Sequence, residues 1–539
     1  MASPDALAPN VLLVYPRFAA ATFWNFAATC EMMGARYPAA PLGLITLAAL
    51  LPPSWNLRLV DRNAEELREA DLDWADLVMT GGMLLQHNDL AEVIRIAQQH
   101  GRPVAVGGPG PTSVAEGYRY ADFQVIGEAE GIIDKFIAAW ERGERKGVFE
   151  AEKFTADVTK SPIPRFDLLN FDNYLYIGVQ FSRGCPFTCE FCDIIELYGR
   201  VPRTKTTPQM LAELDRLYEL GYRGHVDFVD DNLIGNKKAV KAFLPELARW
   251  LDAHGCPFEF TTEASLNLAD DPELLRLMNE ANFVGVFTGI ESPDPETLIL
   301  MRKKQNTRRN IAESIHRIYA AGMFVTAGFI VGFDNEKGSI AEAMVELIEE
   351  AAIPVAMVGL LCALPNTQLA RRLTHAGRLH PLPELIPNNY GDQCTLGLNF
   401  ETLRPRREIL RDYERILRRI YEPEAFAGRL RRLAGLLDNS NRKRQTRAAD
   451  ARRKLGGGAM LQRLVAGVPE PREVFRQALS HCLSSNPRSA RSLTSQMALY
   501  LHLGPFSHHV IREIERKIEL LDAEPAIVTA PTPEAALAS

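Results

Sequence analysis

Residues 177–192 read IGVQFSRGCPFTCEFC, an apolar strand-like run that leads directly into three cysteines. Cys185, Cys189 and Cys192 follow the spacing Cys-x3-Cys-x2-Cys on a predicted loop. Thiolates this close together can hold three irons of a cubane iron–sulfur cluster. The fourth iron then has no protein ligand nearby, so a small molecule with an amine and a carboxylate could chelate it. We therefore predict a [4Fe–4S] cluster on these three cysteines.

Structural zinc is the alternative for the same cysteines. Tetrahedral zinc usually takes four ligands, often from paired Cys-x2-Cys units. A fourth ligand would have to come from a distant cysteine or histidine, because the neighbouring Glu190 and Asp193 are poor ligands for a soft site. The spacing therefore favours the cluster.

The cysteine loop belongs to a region, 176–365, in which strand-like and helix-like segments alternate. The predicted strands span 177–181, 226–229, 259–262, 285–288, 325–331 and 356–361. Consecutive strand–helix units predict parallel strands that curve into a barrel, here a partial (β/α)6 barrel. A second open sheet is the alternative.

The preceding region, 1–145, shows the same alternation, with predicted strands at 11–15, 57–60, 77–80, 104–106 and 123–126. This pattern predicts an α/β fold with a doubly wound parallel sheet, in which ligands bind beyond the carboxyl ends of the strands. Glycines follow several of these strands, which suits a close approach of the backbone to a large ligand. A linker at 146–175, with Pro162 and Pro164, is predicted to join the two domains.

The remaining chain, 366–520, is predicted to be mostly helical, followed by a disordered tail at 521–539. Between residues 404 and 454, 17 basic residues outnumber 7 acidic ones. This run is either a solvated, salt-bridged helical face or a surface that contacts anionic groups, such as lipid headgroups or a phosphate-bearing ligand.

Composition narrows the class of protein. Of 539 residues, 46% are apolar and 24% are charged, as in ordinary globular chains. The net charge of −7 counts against bulk nucleic-acid binding. Eight cysteines without regular spacing indicate a reducing compartment rather than a disulfide scaffold. With no basic N-terminal signal and no run of about 18 apolar residues, we expect a cytoplasmic protein without a membrane span.

The cysteine loop, with Phe191 before its third cysteine, resembles the signature of the radical S-adenosylmethionine (SAM) superfamily. The resemblance implies that SAM binds the open iron and is cleaved reductively to a 5′-deoxyadenosyl radical. It also implies SAM contacts at the barrel strand ends, from Asp230, Asp231, Glu263, Glu291, Gly328 and Gly332. The run 328–336 is similar to the family pattern Gly-x-Ile-x-Gly-x-x-Glu, but Glu336 falls one residue late. Helix capping is the alternative role for Asp231.

A doubly wound domain before such a barrel resembles the cobalamin-binding subclass of this superfamily. The resemblance implies cobalamin contacts from Asp61, Asn63, Gly81, Gly82, Gly107, Gly108 and Glu128. The loop at 61–64 has no histidine that could ligate cobalt, and His87 is the only candidate nearby, so we expect cobalt without a histidine ligand from the protein. For the sheet considered alone, a nucleotide-binding domain is the alternative.

Cobalamin and SAM together imply methylation of an unactivated carbon. The segments 203–206, 229–237 and 391–394 resemble a bacterial group that includes the hopanoid C-2 methylases. This resemblance implies a hopanoid lipid substrate, and we expect a flavodoxin- or ferredoxin-type electron donor. The basic C-terminal region could dock the enzyme peripherally at the inner membrane. Methylation of a bacteriochlorophyll-type tetrapyrrole side chain, or another radical SAM reaction on a small molecule, is the alternative.

Two further classes of protein fit the cysteines less well. A methylthiotransferase acting on transfer RNA would carry three more cysteines in its first domain, where Cys30 stands alone. A cobalamin sensor without enzymatic activity would need no iron–sulfur cluster. We therefore predict an enzyme, a radical SAM methyltransferase.

Overall fold

The computed structural model describes residues 8–19, 22–23, 25–380, 393–440 and 472–523. Its strands form two parallel sheets and one short ribbon. In chain order the strands are β1 (Asn10–Tyr15), β2 (Tyr37–Ala39), β3 (Asn56–Asp61), β4 (Leu77–Gly81), β5 (Val104–Gly107), β6 (Phe123–Ile126), β7 (Gly147–Glu150), β8 (Tyr174–Val179), β9 (Ser182–Arg183), β10 (Arg203–Thr204), β11 (Gly224–Phe228), β12 (Phe258–Glu263), β13 (Phe283–Glu291), β14 (Phe324–Val331) and β15 (Ala356–Leu360).

Helices follow most of these strands. They are α1 (Ala27–Met33), α2 (Leu42–Leu50), α3 (Glu69–Trp74), α4 (His87–Gln99), α5 (Pro109–Ser113), α6 (Ile133–Glu141), α7 (Ile194–Leu197), α8 (Thr207–Glu219), α9 (Lys237–Ala253), α10 (Pro272–Glu280), α11 (Pro295–Leu300), α12 (Ile311–Ala320), α13 (Ala341–Glu350), α14 (Gln368–His375), α15 (Arg406–Ile420), α16 (Pro423–Leu436), α17 (Arg472–Ser485) and α18 (Ala490–Ala523).

The first sheet has the order β3-β1-β4-β5-β6-β7, and every pair in it is parallel. Successive residues of β1 pack into different cores: Val11 and Leu13 face one hydrophobic cluster, and Leu12 and Val14 face the other. A strand buried on both faces requires an unbroken apolar run, which is why the sequence pattern identified it. The predicted doubly wound sheet is confirmed.

The segment predicted as a linker, 146–175, contributes to both sheets. Its residues Gly147–Glu150 form β7, the last strand of the first sheet, and its end at Tyr174 begins β8. Strand β7 lies at the sheet edge, and its side chains alternate between half-buried and exposed. Without a continuous apolar run, its sequence did not indicate a strand.

The second sheet has the order β15-β14-β13-β12-β11-β8-β2, with all pairs parallel. Six of these strands are the ones predicted for a partial barrel, and that fold class is confirmed. The seventh, β2, comes from the N-terminal region and pairs with β8, with Tyr37 opposite Tyr174. Three residues are too few to show a periodic pattern, so the sequence analysis missed it.

The C-terminal helices and the second sheet share one hydrophobic core. The first residue of this core in the chain is Phe23, and the last is Ile518. Helix α18 reaches Ala523, so it includes the first residues of the tail predicted as disordered; residues 524–539 lie outside the described residues. Residues 391–392 also lie outside the described residues; they belong to the segment 391–394 that resembles the hopanoid C-2 methylase group.

The basic run between residues 404 and 454 is only partly described, because residues 441–454 lie outside the described residues. Within the described part, Arg404, Arg418, Arg429 and Arg432 form ion pairs with carboxylates. Among the described helices, none combines the length and the apolar character that a bilayer crossing would need.

Candidate active site

A two-stranded ribbon closes the base of the cysteine loop. Strands β9 and β10 pair antiparallel, with Arg183 opposite Arg203. Between them the Cys185 amide donates to the Gly199 carbonyl at 3.2 Å. Gly184 has a φ of +95°, and a Cβ there would lie 2.9 Å from the carbonyl oxygen of Gly199, so only glycine fits. The loop therefore leaves and re-enters the barrel at one fixed point.

Two aspartates that follow β11 hold this loop; Asp230 is buried and Asp231 is half-buried. Asp230 accepts hydrogen bonds from the Phe181 amide at 2.9 Å, the Ser182 amide at 2.5 Å and the Ser182 hydroxyl at 2.6 Å. Asp231 accepts from the Gly184 amide at 2.8 Å. Burial raises the pKa of Asp230 to about 7 and that of Asp231 to about 6. Both were predicted as SAM contacts; in this structure their hydrogen bonds come from backbone amides of the loop and from the Ser182 hydroxyl.

Amide side chains reach two of the three thiols. The Asn232 Nδ2 lies 3.9 Å from the Cys185 Sγ, and the Gln305 Nε2 lies 3.7 Å from the Cys189 Sγ. Asn232 also accepts from the Ser265 amide at 3.1 Å, which links this loop to the end of β12. Burial raises the pKa values of the Cys185 and Cys192 thiols. Side-chain N–H groups are thus directed at the Cys185 and Cys189 sulfurs, and the Cys192 thiol is desolvated.

Glu291 ends β13 in a strained conformation. Its φ is +71°, and the register with β14 shifts between Gly289 and Glu291. The Lys303 Nζ lies 2.7 Å from the Glu291 Oε1. A Cβ at Gly289 would lie 2.1 Å from the same oxygen, so glycine there makes room for the ion pair. Asn306 satisfies the carbonyls of Gly289 and Ile290. Glu291, a predicted SAM contact, is therefore paired with a buried lysine.

The fifth strand of the barrel ends beside the aromatic residue of the cysteine loop. The rings of Phe191 and Phe333 meet edge to face at 6.1 Å. Glu336 accepts from the Gly332 amide at 2.9 Å and from the Phe333 amide at 3.1 Å, despite its position one residue late in the motif. Gly332 has a φ of +104°, and a Cβ there would lie 2.6 Å from Leu398. The glycine is thus required by the protein's own packing.

A neighbouring side chain also limits the space at Gly328. A Cβ at Gly328 would lie 3.2 Å from the Phe287 ring. Phe287 is half-buried on the neighbouring strand β13. A side chain at position 328 would therefore compete with this ring for space.

Glu263 is the last residue of β12. Its side chain is accessible to solvent, yet burial raises its pKa to about 8, with Asp227 and Asp231 adding repulsion. Within the described residues its carboxyl has no hydrogen-bond or ion-pair partner, so it is available to a ligand.

Polar side chains at the strand ends of the first sheet form hydrogen bonds with other residues of the protein. Asp61 accepts from the Asn63 amide at 2.9 Å and from the Tyr174 hydroxyl at 3.0 Å. Asn63 donates to the Pro16 carbonyl at 3.0 Å and accepts from the Phe18 amide at 2.9 Å. Burial raises the pKa of Asp61 to about 6. These two predicted cofactor contacts hold the loops after β1 and β3 together.

The glycines of the first sheet allow its loops to approach one another. A Cβ at Gly81 would lie 2.6 Å from the Gly107 carbonyl oxygen, and one at Gly82 would lie 2.7 Å from the Gln86 Oε1. A Cβ at Gly107 would lie 3.0 Å from the Val125 carbonyl oxygen, and Gly108 has a φ of +91°. These glycines were predicted as cofactor contacts; the nearest atoms to Gly81, Gly107 and Gly108 are backbone atoms of neighbouring loops, and those nearest Gly82 belong to the Gln86 side chain. The result is a rim without side chains, which suits a large flat ligand.

Two other residues singled out near this rim also have partners. The His87 Nδ1 lies 2.8 Å from the Tyr118 hydroxyl. Glu128 binds two arginines of the cysteine-loop ribbon, at 3.2 Å from Arg183 and 2.8 Å from Arg203. Glu128 thus contacts the second domain rather than an open face of the first.

The donor set fits an iron–sulfur cluster. Among the described residues, no three His, Cys, Asp or Glu side chains converge closely enough to hold one metal ion. A cubane does not require such convergence, since each thiolate binds a different iron. Soft sulfur donors, N–H groups near them and the buried Lys303 match an anionic cluster with thiolate ligands.

Sequence reasoning missed several residues of this site: Asn232, Lys303 and Gln305, the ribbon arginines Arg183 and Arg203, and Glu130, which pairs with Arg183. Asn232 directly follows Asp231, a predicted SAM contact, so its position in the sequence could have indicated it. Lys303 and Gln305 lie more than a hundred residues from the cysteines, and only the fold brings them there.

Family models match two parts of the chain. The radical SAM superfamily matches residues 179–348, and a domain of unknown function, DUF4070, matches residues 367–516. The first match covers the barrel with its cysteine loop, and the second begins at helix α14.

Two curated relatives cover most of the chain. An uncharacterized methyltransferase of Synechocystis sp. is 48% identical over 78% of this chain and 77% of its own length. The hopanoid C-2 methylase of Rhodopseudomonas palustris is 38% identical over 78% of both chains. The chain belongs to the radical SAM methyltransferase family that contains these two proteins, as its cysteine loop predicted.

A solved structure shows the same fold over nearly the whole chain. It is the cobalamin-dependent S-adenosylmethionine radical enzyme OxsB with aqua-cobalamin and S-adenosylmethionine bound. The match covers 96% of this chain and 81% of that one, with 15% identity and a TM-score of 0.59. At this identity the likeness concerns the fold.

Proposed function

We propose that this enzyme is a cobalamin-dependent radical SAM methyltransferase that methylates C-2 of a hopanoid lipid. The observation that carries the substrate assignment is the 38% identity, over 78% of both chains, to a hopanoid C-2 methylase. The reaction class rests on the three-cysteine loop, which Asp230 and Asp231 fix at the strand ends of the barrel.

The proposed cofactor sites use residues already placed at the two rims. Cys185, Cys189 and Cys192 would hold three irons of the cluster, and SAM would take the open corner. Cobalamin would lie against the glycine rim of the first sheet, where doubly wound folds bind their ligands. When bound, the cluster and SAM supply a radical that abstracts hydrogen, and cobalamin supplies the methyl group.

The chain's own side chains have defined roles in this proposal. Asn232 and Gln305 donate N–H groups to the ligand sulfurs. Glu263 is free to accept hydrogen bonds from the ammonium or ribose of SAM. The buried Lys303, paired with Glu291, places a positive charge beside the thiols. Together they bind and orient the reactants within a desolvated space.

Two partners follow from this reaction. Reductive cleavage of SAM requires an electron, for which we propose a flavodoxin- or ferredoxin-type donor. A hopanoid is a membrane lipid, so we also propose peripheral contact with the inner membrane. The basic run at 442–454, outside the described residues, is the proposed contact.

The test is lipid analysis of a hopanoid-producing bacterium that lacks 2-methylhopanoids and expresses this chain. We expect 2-methylhopanoids by mass spectrometry with the native chain and none with the matched variant Cys192→Ala. Unmodified hopanoids in both strains would overturn the substrate assignment. In that case, methylation of a tetrapyrrole supplied to the purified enzyme would support the alternative substrate class.

A further inference from the structure

Both strands of the ribbon at the base of the cysteine loop carry an arginine directed into the first domain. Arg183 and Arg203 face each other in the β9–β10 pair, one on each side of the loop. Their guanidinium groups meet Glu128 and Glu130, which follow β6 in the first sheet. Four charges from two domains thus meet at one place.

The geometry of this four-residue cluster is specific. Arg183 binds Glu130 through both terminal nitrogens, at 2.7 and 3.0 Å. Glu128 bridges the two arginines, with one oxygen 3.2 Å from Arg183 and the other 2.8 Å from Arg203. Bidentate contacts of this kind fix orientation as well as distance.

The cluster is buried and well satisfied. The arginine side chains are 13% and 17% exposed, and the glutamate side chains are 5% and 8% exposed. Ser161 donates to Glu130 at 2.8 Å, and Arg203 also donates to the Ala156 carbonyl at 2.8 Å. Buried ion pairs add little net stability because desolvation is costly, but they can fix one geometry. The cluster is therefore better suited to fixing the position of the two domains than to stabilising the fold.

The ribbon is also fixed to the barrel, since Asp230 and Asp231 bind the backbone of Phe181, Ser182 and Gly184. A displacement of the first sheet therefore has to break the four-charge cluster or the aspartate contacts. The cluster thus connects a strand end of the first sheet to the loop that carries the cysteines.

We propose that Arg183, Arg203, Glu128 and Glu130 are positioning residues that hold the first sheet in register with the cysteine loop, so that a group can pass between the two cofactor sites. This inference rests on the proposed cobalamin dependence, but it is independent of the substrate. It gives Glu128 a role different from the direct cofactor contact predicted from the sequence.

The test separates two reactions of SAM in the full chain, reconstituted anaerobically with cluster and cobalamin. S-Adenosylhomocysteine reports methyl transfer from SAM to cobalamin, and 5′-deoxyadenosine reports reductive cleavage at the iron–sulfur cluster. In Glu130→Gln and Arg203→Gln we expect S-adenosylhomocysteine formation to fall at least about tenfold, because a small misplacement of reactants is costly. We expect 5′-deoxyadenosine formation and iron content to stay within about twofold of the native chain, because the aspartates still hold the loop.

A second readout needs no cofactor. Hydrogen exchange of the backbone at 127–131 should become faster in both variants, since the ion pairs no longer hold this loop. Arg165→Gln, which removes a partly exposed pair with Asp167, is the matched control and should leave every readout unchanged.

Two results would overturn the inference: unchanged S-adenosylhomocysteine formation, or an equal fall in both products and in iron content. If the native chain itself formed 5′-deoxyadenosine but no S-adenosylhomocysteine, the proposed cobalamin dependence would fail, and this inference with it.

Discussion

The two sheets end their strands in different ways. At the rim of the first sheet, glycines such as Gly81 and Gly107 let backbone loops pack against each other, and Asp61 and Asn63 connect those loops. At the rim of the second sheet, the carboxylates of Asp230 and Asp231 hold the loop that carries the three cysteines. The first rim is defined by close backbone packing and the second by buried charge. The polar residues of a strand-end motif can therefore hold a neighbouring loop in place, in addition to any contact with a ligand.

The largest expected effect concerns the cysteines of the second rim. Cys185→Ala, Cys189→Ala and Cys192→Ala should each abolish 5′-deoxyadenosine formation and lower iron content severely, because three thiolates are the minimum for this cluster. Iron and sulfide analysis of anaerobically purified protein measures this. Cys482→Ser is the control, since Cys482 lies in α17 and should leave iron content intact. Retained 5′-deoxyadenosine in any of the three variants would remove the cluster assignment.

The next effect tests whether buried charge holds the cysteine loop. Asp230→Ala removes the acceptor of three hydrogen bonds and leaves two backbone amides buried without partners. We expect a loss of roughly 2–4 kcal/mol in the free energy of unfolding, measured in urea, with reduced iron content. Asp134→Ala, on the first turn of α6, should change neither quantity. Equal stability of Asp230→Ala and the native chain would show that the loop is held by other contacts.

A smaller effect tests the first rim. Gly81→Ala would place a Cβ 2.6 Å from the Gly107 carbonyl oxygen, and neither backbone can move easily. We expect a destabilisation of about 1–3 kcal/mol by thermal or urea unfolding. Gly435→Ala is the matched control: no atom lies within 4 Å of its Cβ position in helix α16, so it should be stabilised by about 0.5–1 kcal/mol. The same sign for both variants would contradict the packing explanation.

The smallest effect concerns Glu263 and its pH dependence. Its pKa in the folded chain is raised to about 8, so the fold favours the protonated form. The native chain should therefore lose stability as the pH rises from the ordinary glutamate range towards 8. Glu263→Gln removes this loss, so its melting temperature relative to the native chain, both without cofactors, should rise between pH 5 and pH 9. A constant difference across this range would mean that Glu263 titrates normally.

The sequence predicted much of the fold because parallel strands buried on both faces require unbroken apolar runs. Strands β1, β4 and β15 carry this signal most clearly. The short strand β2 and the edge strand β7 lack it, since an edge or a three-residue strand needs no long apolar run. The cysteine spacing also predicted the cluster site, because the three proposed ligands lie on one short loop.

What the sequence alone determined is the local chemistry: three thiolates on one loop, carboxylates after parallel strands and the family to which the chain belongs. The tertiary structure decided what those carboxylates bind. Asp230 and Asp231 hold the cysteine loop, and Glu128 joins two domains. It also brought Lys303 and Gln305 to the cysteines. Hydrogen-bond partners distant along the chain depend on how strands and loops pack, and no local pattern records that packing.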